Sequence, residues 1–139
     1  MCHASDLIVL ICESYQQPRN NLCDQISSLG MERLLCAESR EQAIDTINKH
    51  HVDIVLMSPS LNNSDGFELG KELKRSRPGL ILIYSADFIT ARQQIQALAA
   101  GANGFIKRDS PGELQNTVSY WADMISQRKT AQEILERKF

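Results

Sequence analysis

The sequence predicts an α/β fold in which a doubly wound parallel sheet carries helices on both faces. Three observations lead there. Short apolar runs and segments of helical period alternate along the chain, five of each. The first run is apolar without alternation, as in a strand buried on both faces. The 139 residues suffice for one core. Right-handed crossovers then place ligands and chemistry beyond the carboxyl ends of the strands.

Residues 7–12 (LIVLIC) form the first strand. Leu22, Ile26 and Leu29 recur at helical spacing, and Gly30 caps that helix. Residues 33–37 make a weaker second strand, after which Ser39 and Gln42 form a capping box opening a helix with Ala43, Ile44 and Ile47 inward. Residues 53–57 (DIVLM) are the third strand. A turn-rich stretch, 58–65 (SPSLNNSD), follows, and Phe67, Gly70 and Leu73 give the next helix an apolar face until Pro78-Gly79 breaks it. Residues 80–84 (LILIY) are the fourth strand. Ile95, Leu98 and Ala99 line the fourth helix, Gly101 stops it, and 104–106 is a short fifth strand. Ser110-Pro111-Gly112-Glu113 joins an N-cap, a proline at the first helical position and an acid three residues on. Leu114, Val118, Trp121 and Ile125 dock this last helix on the sheet. A second line, Thr117, Tyr120, Met124, Gln127, Ala131 and Ile134, runs on at steps of three and four, which suits pairing with a partner helix; the alternative is a solvated tail with pairs such as Glu133 and Arg137.

Composition removes several classes. Hydrophobic residues at 42% and charged residues at 23% exclude a disordered or fibrous chain. A net charge of −2 supplies no basic field for nucleic acid or an anionic membrane. The run at residues 7–11 is far short of the ~20 residues that span a bilayer, and the expected location is the cytoplasm. Cys2, Cys12, Cys23 and Cys36 lack C-x-x-C spacing and are expected to be reduced and mostly buried. His50 and His51 close the second helix, where a cation suits the dipole, and His3 falls in a terminus expected to fray. There is no phosphate-binding glycine loop, no G-x-S-x-G around Ser58, and no hydroxyl-rich phosphate loop in CESYQQPRN. The expectation is a binding module and not an enzyme.

The strand ends carry Glu13-Ser14, Ser58, Ser85 and Lys107-Arg108. DIVLMSPSLNNSDGFELGKELK resembles the third strand, loop and third helix of a response-regulator receiver domain of two-component signalling. ILIYSA resembles the family's fourth strand with its switch hydroxyl, and AAGANGFIKRDSPGEL its fifth strand and last helix start. The resemblance covers residues 6–125. It implies a flavodoxin-like (βα)5 fold of strand order 2-1-3-4-5 with an extended C-terminal helix. It also implies a receiver-like domain over 1–125 and, over 126–139, a helical extension of the kind that links receivers to output domains.

The family's phosphoacceptor aspartate, seven residues before the Asp-Gly of the third helix, falls on Ser58. Its acidic pair falls on Glu13-Ser14, and its switch hydroxyl and aromatic on Ser85 and Phe105. Its lysine falls on Arg108 without gaps and on Lys107 with a one-residue slip. A receiver site sums to about −2 and collects Mg²⁺, whereas these positions sum to 0 or +1, so Mg²⁺ binding is expected to be weak or absent and no cofactor is expected. Ser58 also lacks an adjacent base.

The leading expectation is an atypical receiver acting by phosphorylation-independent protein–protein contact or dimerisation. The expected surface is the face of the fourth helix, fifth strand and fifth helix, with no direct role for nucleic acid or membrane. One alternative is phosphorylation at an unusual acceptor, Asp65 or Asp53. Another is an anion or small-molecule sensor using a neutralised pocket of Ser58, Ser85 and Arg108, which otherwise hydrogen-bond one another. Asp65 is expected to cap the third helix, and Asp87 is the candidate charged neighbour of Arg108.

Overall fold

The computed structural model describes residues 2–110 and 112–138. A 3-10 turn, Ala4–Asp6, precedes β1 (Ile8–Cys12), α1 (Gln16–Ser27), β2 (Arg33–Ala37), α2 (Arg40–Lys49) and β3 (Ile54–Met57). Two short strands, β4 (Ser60–Leu61) and β5 (Ser64–Asp65), lead into α3 (Gly66–Ser76). Then come β6 (Ile81–Ala86), α4 (Ala91–Ala99), β7 (Gly104–Lys107) and α5 (Glu113–Lys138). The five longer strands form one sheet in the order β2-β1-β3-β6-β7, parallel throughout. That is the expected doubly wound order.

The unbroken apolar runs are explained by apolar layers on both faces of the one sheet. Leu10, Cys12, Val55, Met57, Leu82 and Tyr84 project to the side covered by α2, α3 and α4. Val9, Ile11, Ile54, Leu56, Ile81 and Ile83 project to the side covered by α1 and α5. Successive side chains of a strand alternate, so a strand covered on both sides must be apolar at every position.

Local chemistry sets the ends of the elements. Gly30 sits at φ 85°, the left-handed conformation expected of a helix-ending glycine. The stretch read as a plain loop holds the antiparallel hairpin of β4 and β5, turned by Asn62 and Asn63 at φ 47° and 68°. Asparagine tolerates the positive φ that a two-residue hairpin needs at both central positions. Ser39 caps α2 by accepting from Gln42 N–H. The Gln42 side chain, however, accepts from Glu38 N–H at 2.8 Å, one residue upstream of the reciprocal partner a capping box requires.

Several expectations are corrected. The Ile95 and Leu98 face of α4 points outward, at 67% and 75% exposure, and Ala99 is exposed too. Buried Ala97 and Ala100 make the contact instead, because small side chains let this short helix lie close to the sheet. Only Cys12 of the four cysteines is buried. Cys2 and Cys23 are half-buried and Cys36, on the sheet-edge strand β2, is exposed. At the start of the chain His3 N–H donates to the Asp6 carboxylate at 3.0 Å and closes the 3-10 turn.

Pro111, assigned to the first turn of the last helix, lies outside the described residues. In α5, Leu114, Val118, Ala122 and Ile125 are buried and Trp121 is half-buried. Contact with the body continues past residue 125. Lys129 Nζ lies 2.6 Å from Asp53 Oδ1, and Cys2 N–H donates to Thr130 Oγ1 at 3.5 Å. No helix among the described residues is long and apolar enough to cross a membrane.

Candidate functional site

The loops after β1, β3 and β6 and the residue after β7 surround a cavity of about 560 Å³ at the carboxyl ends of the strands. Glu13, Ser58, Asp87 and Arg108 line it. Parallel strands with right-handed crossovers direct all these loops to the same end of the sheet.

Arg108 organises the site. Its N–H donates to Ala86 O at 2.9 Å, which continues the β6–β7 ladder by one bond and fixes the start of the side chain. Arg108 Nε donates to Ser85 Oγ at 2.9 Å, and Arg108 Nη2 lies 2.7 Å from Glu13 Oε1. Glu13 is 2% exposed and the Arg108 side chain 16%, so this ion pair is largely withdrawn from water. Nη2 makes no aligned hydrogen bond, and its bond to Glu13 is therefore one of charge. Arg19 reaches from α1 to hold the turn, donating to Glu13 O and Ser14 O and pairing with Glu38 at 3.0 Å.

The other expected site residues divide between those that join this cluster and those that do not. Ser85 is buried within it. Ser58 lines the cavity, its N–H donating to Cys12 O at 3.0 Å, while its hydroxyl makes no hydrogen bond among the described residues. The expected three-way bonding of Ser58, Ser85 and Arg108 thus reduces to Ser85 and Arg108. Ser14 turns aside, its hydroxyl donating to Glu38 O at 3.2 Å. Lys107 is exposed and sits 3.6 Å from Asp109, away from the cavity. Asp87 lies beside Arg108, which pairs with Glu13 instead. Asp65 caps α3, accepting from Phe67 N–H at 2.8 Å and Glu68 N–H at 3.4 Å. Asp53 lies at the opposite end of β3, where it accepts from Ile8 N–H at 2.9 Å and pairs with Lys129.

The charge estimate also changes. Glu38 and Asp87 line the cavity along with Glu13 and Arg108, and Arg19 pairs with Glu38 at its edge, so the site is slightly acidic and not neutral or slightly positive. Glu38 directly follows β2 and Asp87 directly follows β6, positions outside the family's site residues on which the charge sum was based. Among the described residues no cluster of three His, Cys, Asp or Glu side chains could hold a metal ion.

The sequence reading missed the setting of Tyr84. It is buried with its ring between Phe67, 4.8 Å away, and Phe105, 5.9 Å away, and its hydroxyl donates to Gly66 O at 2.7 Å. Burial pushes its pKa well above the ordinary value for tyrosine. Gly70 makes room for it, because a Cβ there would sit 2.1 Å from the hydroxyl. The available signals were a tyrosine ending an aliphatic strand and a glycine inside a helix.

The family model described as response regulator receiver domain matches residues 9–119. The sensor histidine kinase RcsC of Escherichia coli is 23% identical over 121 residues, covering 86% of this chain and 13% of that protein. The fimbriae Z protein of Salmonella typhimurium is 29% identical over 90 residues, covering 64% of this chain and 43% of that one. The chain therefore spans a minor part of these curated relatives. Among solved structures, a CheY-like response regulator receiver domain protein from Methanospirillum hungatei superposes with a TM-score of 0.79 at 19% identity, covering 88% of this chain and 98% of that one. The receiver domain of NtrX from Brucella abortus gives 0.76 at 21% identity, covering 83% and 98%. At these identities the structures speak for the fold.

Proposed function

The chain belongs to the response regulator receiver domain family of two-component signalling, and from that premise we propose that it is an atypical receiver working by protein contact without phosphorylation. The observation that carries this reading is the placement of Arg108, 2.7 Å from Glu13 and 2.9 Å from Ser85. In this assignment Ser58 stands at the phosphoacceptor position and Glu13-Ser14 at the acidic pair. Arg108, rather than Lys107, takes the lysine position. Of the carboxylates at the cavity, Glu13 is held by Arg108 and Glu38 by Arg19, and Ser58 has no anionic oxygen of its own, so Mg²⁺ binds weakly or not at all. Ser85 and Phe105 are the switch positions, with Ser85 tied to Arg108.

The partner surface in this reading is the face of α4, β7 and α5. Ile95 and Leu98 of α4 and Tyr120 of α5 are large apolar side chains left exposed there. The helical extension is the part of α5 beyond residue 125, and Ile134 and Leu135 are exposed along it. A second copy or another signalling protein is the expected occupant. Phosphorylation at Asp65 or Asp53 is less well supported, since the first caps a helix and the second is paired at the far end of the sheet. The acidic lining argues against an anion ligand in the cavity.

The test is a titration of the chain with Mg²⁺ and beryllofluoride, followed by amide resonances. Unmoved signals at Ser58, Ser85 and Phe105 are expected. Saturable shifts at these amides would refute the assignment.

A further inference from the structure

We infer that Cys23 and Cys36 form a reversible disulfide, a covalent modification site joining α1 to the edge strand β2, with a low-molecular-weight disulfide such as oxidised glutathione as its oxidant. The two sulfur atoms lie 3.7 Å apart although thirteen positions separate them in sequence. They face each other because β2 sends alternate side chains to the α1 side. Leu34 and Cys23 belong to the same core layer, and Cys36 is two residues beyond Leu34. Among the described residues no further strand pairs with the outer edge of β2, and Cys36 is open to solvent. Bond formation requires the two sulfurs to close from 3.7 Å to ~2.05 Å. Neither Cys2 nor the buried Cys12 has a sulfur partner of this kind.

The order of events follows from exposure. The Cys36 thiol loses its proton and attacks one sulfur of the glutathione disulfide, forming a protein–glutathione disulfide and releasing one glutathione thiolate. Cys23 then loses its proton and attacks the Cys36 sulfur, forming the Cys23–Cys36 bond and releasing the second glutathione. Two protein thiols are oxidised to one disulfide, and one glutathione disulfide is reduced to two thiols. Cys23 suits the second step, since burial, followed by the hydrogen bond with Cys36, pushes its pKa up to about 11 and makes it the poorer first nucleophile. The bond would reinforce the junction that Arg19 already spans from α1 to Glu38, which forms one wall of the cavity. It is independent of whether the domain accepts a phosphoryl group.

The test uses the full chain, reduced, then equilibrated with oxidised glutathione without oxygen, alkylated, and read by intact mass and peptide mapping. The expected result is a mass lower by two hydrogens before alkylation, two alkyl groups added in place of four after it, and one cross-linked peptide pair containing Cys23 and Cys36. Excess dithiothreitol restores all four thiols. Cys23→Ser, with Cys23→Ala as the second variant, should stop at one glutathione held on Cys36. Cys36→Ser should form no internal cross-link. A stable glutathione adduct on the unaltered chain, four free thiols, or a cross-link through Cys2, Cys12 or a second chain would overturn the inference.

Discussion

Replacing Arg108 with alanine probes the site at its centre. The substitution leaves the Glu13 carboxylate, 2% exposed, without its cation, and strips Ser85 of its charged donor. Removing one partner of a fully buried pair costs about 3–5 kcal/mol. Arg108 is 16% exposed and borders an open cavity, so water reaches part of the vacated space and the pair accounts for about 2 kcal/mol. The lost bond to Ser85, made by a charged donor, adds about 1.5 kcal/mol, for a total of about 3.5 kcal/mol. With a urea dependence of about 2 kcal/mol per molar, the unfolding midpoint falls by roughly 1.8 M. Glu13→Gln should cost only about 1 kcal/mol, because the freed guanidinium can turn toward the cavity and be hydrated. In the double variant the two losses should fall short of their sum by about 1–2 kcal/mol, the coupling of charges in contact. Urea unfolding of all four proteins, followed by circular dichroism, measures this. An Arg108→Ala midpoint equal to that of the parent, or losses that simply add, would refute the placement of Arg108 as Glu13's counter-ion.

Other perturbations test other parts of the structure. Gly70→Ala should destabilise the fold by about 1–3 kcal/mol despite alanine's better helix propensity, since its Cβ would meet the Tyr84 hydroxyl; adding Tyr84→Phe should recover part of the loss in the same urea assay. Lys129→Met, which leaves Asp53 buried beside Ile8 N–H alone, should cost about 1–2 kcal/mol in thermal unfolding, and an unchanged transition would mean that α5 beyond residue 125 does not secure the sheet. Leu98→Asp should leave stability within about 0.5 kcal/mol while abolishing any self-association seen by sedimentation equilibrium, and persistence of the dimer would move the interface off α4. Folded-state pKa values above the unfolded ones, as at Cys12 and Tyr84, give stability that is complete below the unfolded values of 9.0 and 10.0 and is lost as pH rises past them, so equilibrium unfolding should show a decline that begins near pH 9 and is shallower in Tyr84→Phe.

The central strands could be read from the sequence because burial on both faces leaves no polar position in their middles, and their order followed from the family resemblance. What could not be read depends on distances between elements. On α4, hydropathy ranks Ile95 and Leu98 above alanine, yet Ala97 and Ala100 make the contact because the helix approaches the sheet closely. Counting along the chain leaves Lys107 and Arg108 as rivals. The pleat separates them, sending Lys107 outward toward Asp109 and Arg108 inward onto Glu13. Glu38 and Asp87 reach the cavity from loops that only the winding of the sheet brings together, and the contact of Cys23 with Cys36 depends on how α1 lies against β2. Each case turns on packing geometry, which residue type and spacing leave open.

The bond between Arg108 and Ser85 bears on how such a domain could still be switched. A hydrogen bond from a charged donor contributes about 1.5–3 kcal/mol, so a state with Ser85 released is populated at roughly 1–10% if nothing else opposes it. A protein partner that prefers the released state by about 100-fold would therefore bring the two states near parity or beyond, an amount within the ordinary range of allosteric coupling. A phosphoryl group is not the only agent able to provide such a bias, because any ligand with differential affinity does so. Tyr84 precedes Ser85 on β6 and touches Phe105 on the adjoining β7, so release of Ser85 would be felt at the α4–β7 face through that ring contact. The measurable consequence is reciprocal. Arg108→Lys, which keeps the charge but loses the fork that holds Ser85, should tighten binding of a released-state partner by up to the same factor by which the bond disfavoured it. An unchanged dissociation constant in calorimetry would mean that Ser85 takes no part in partner binding.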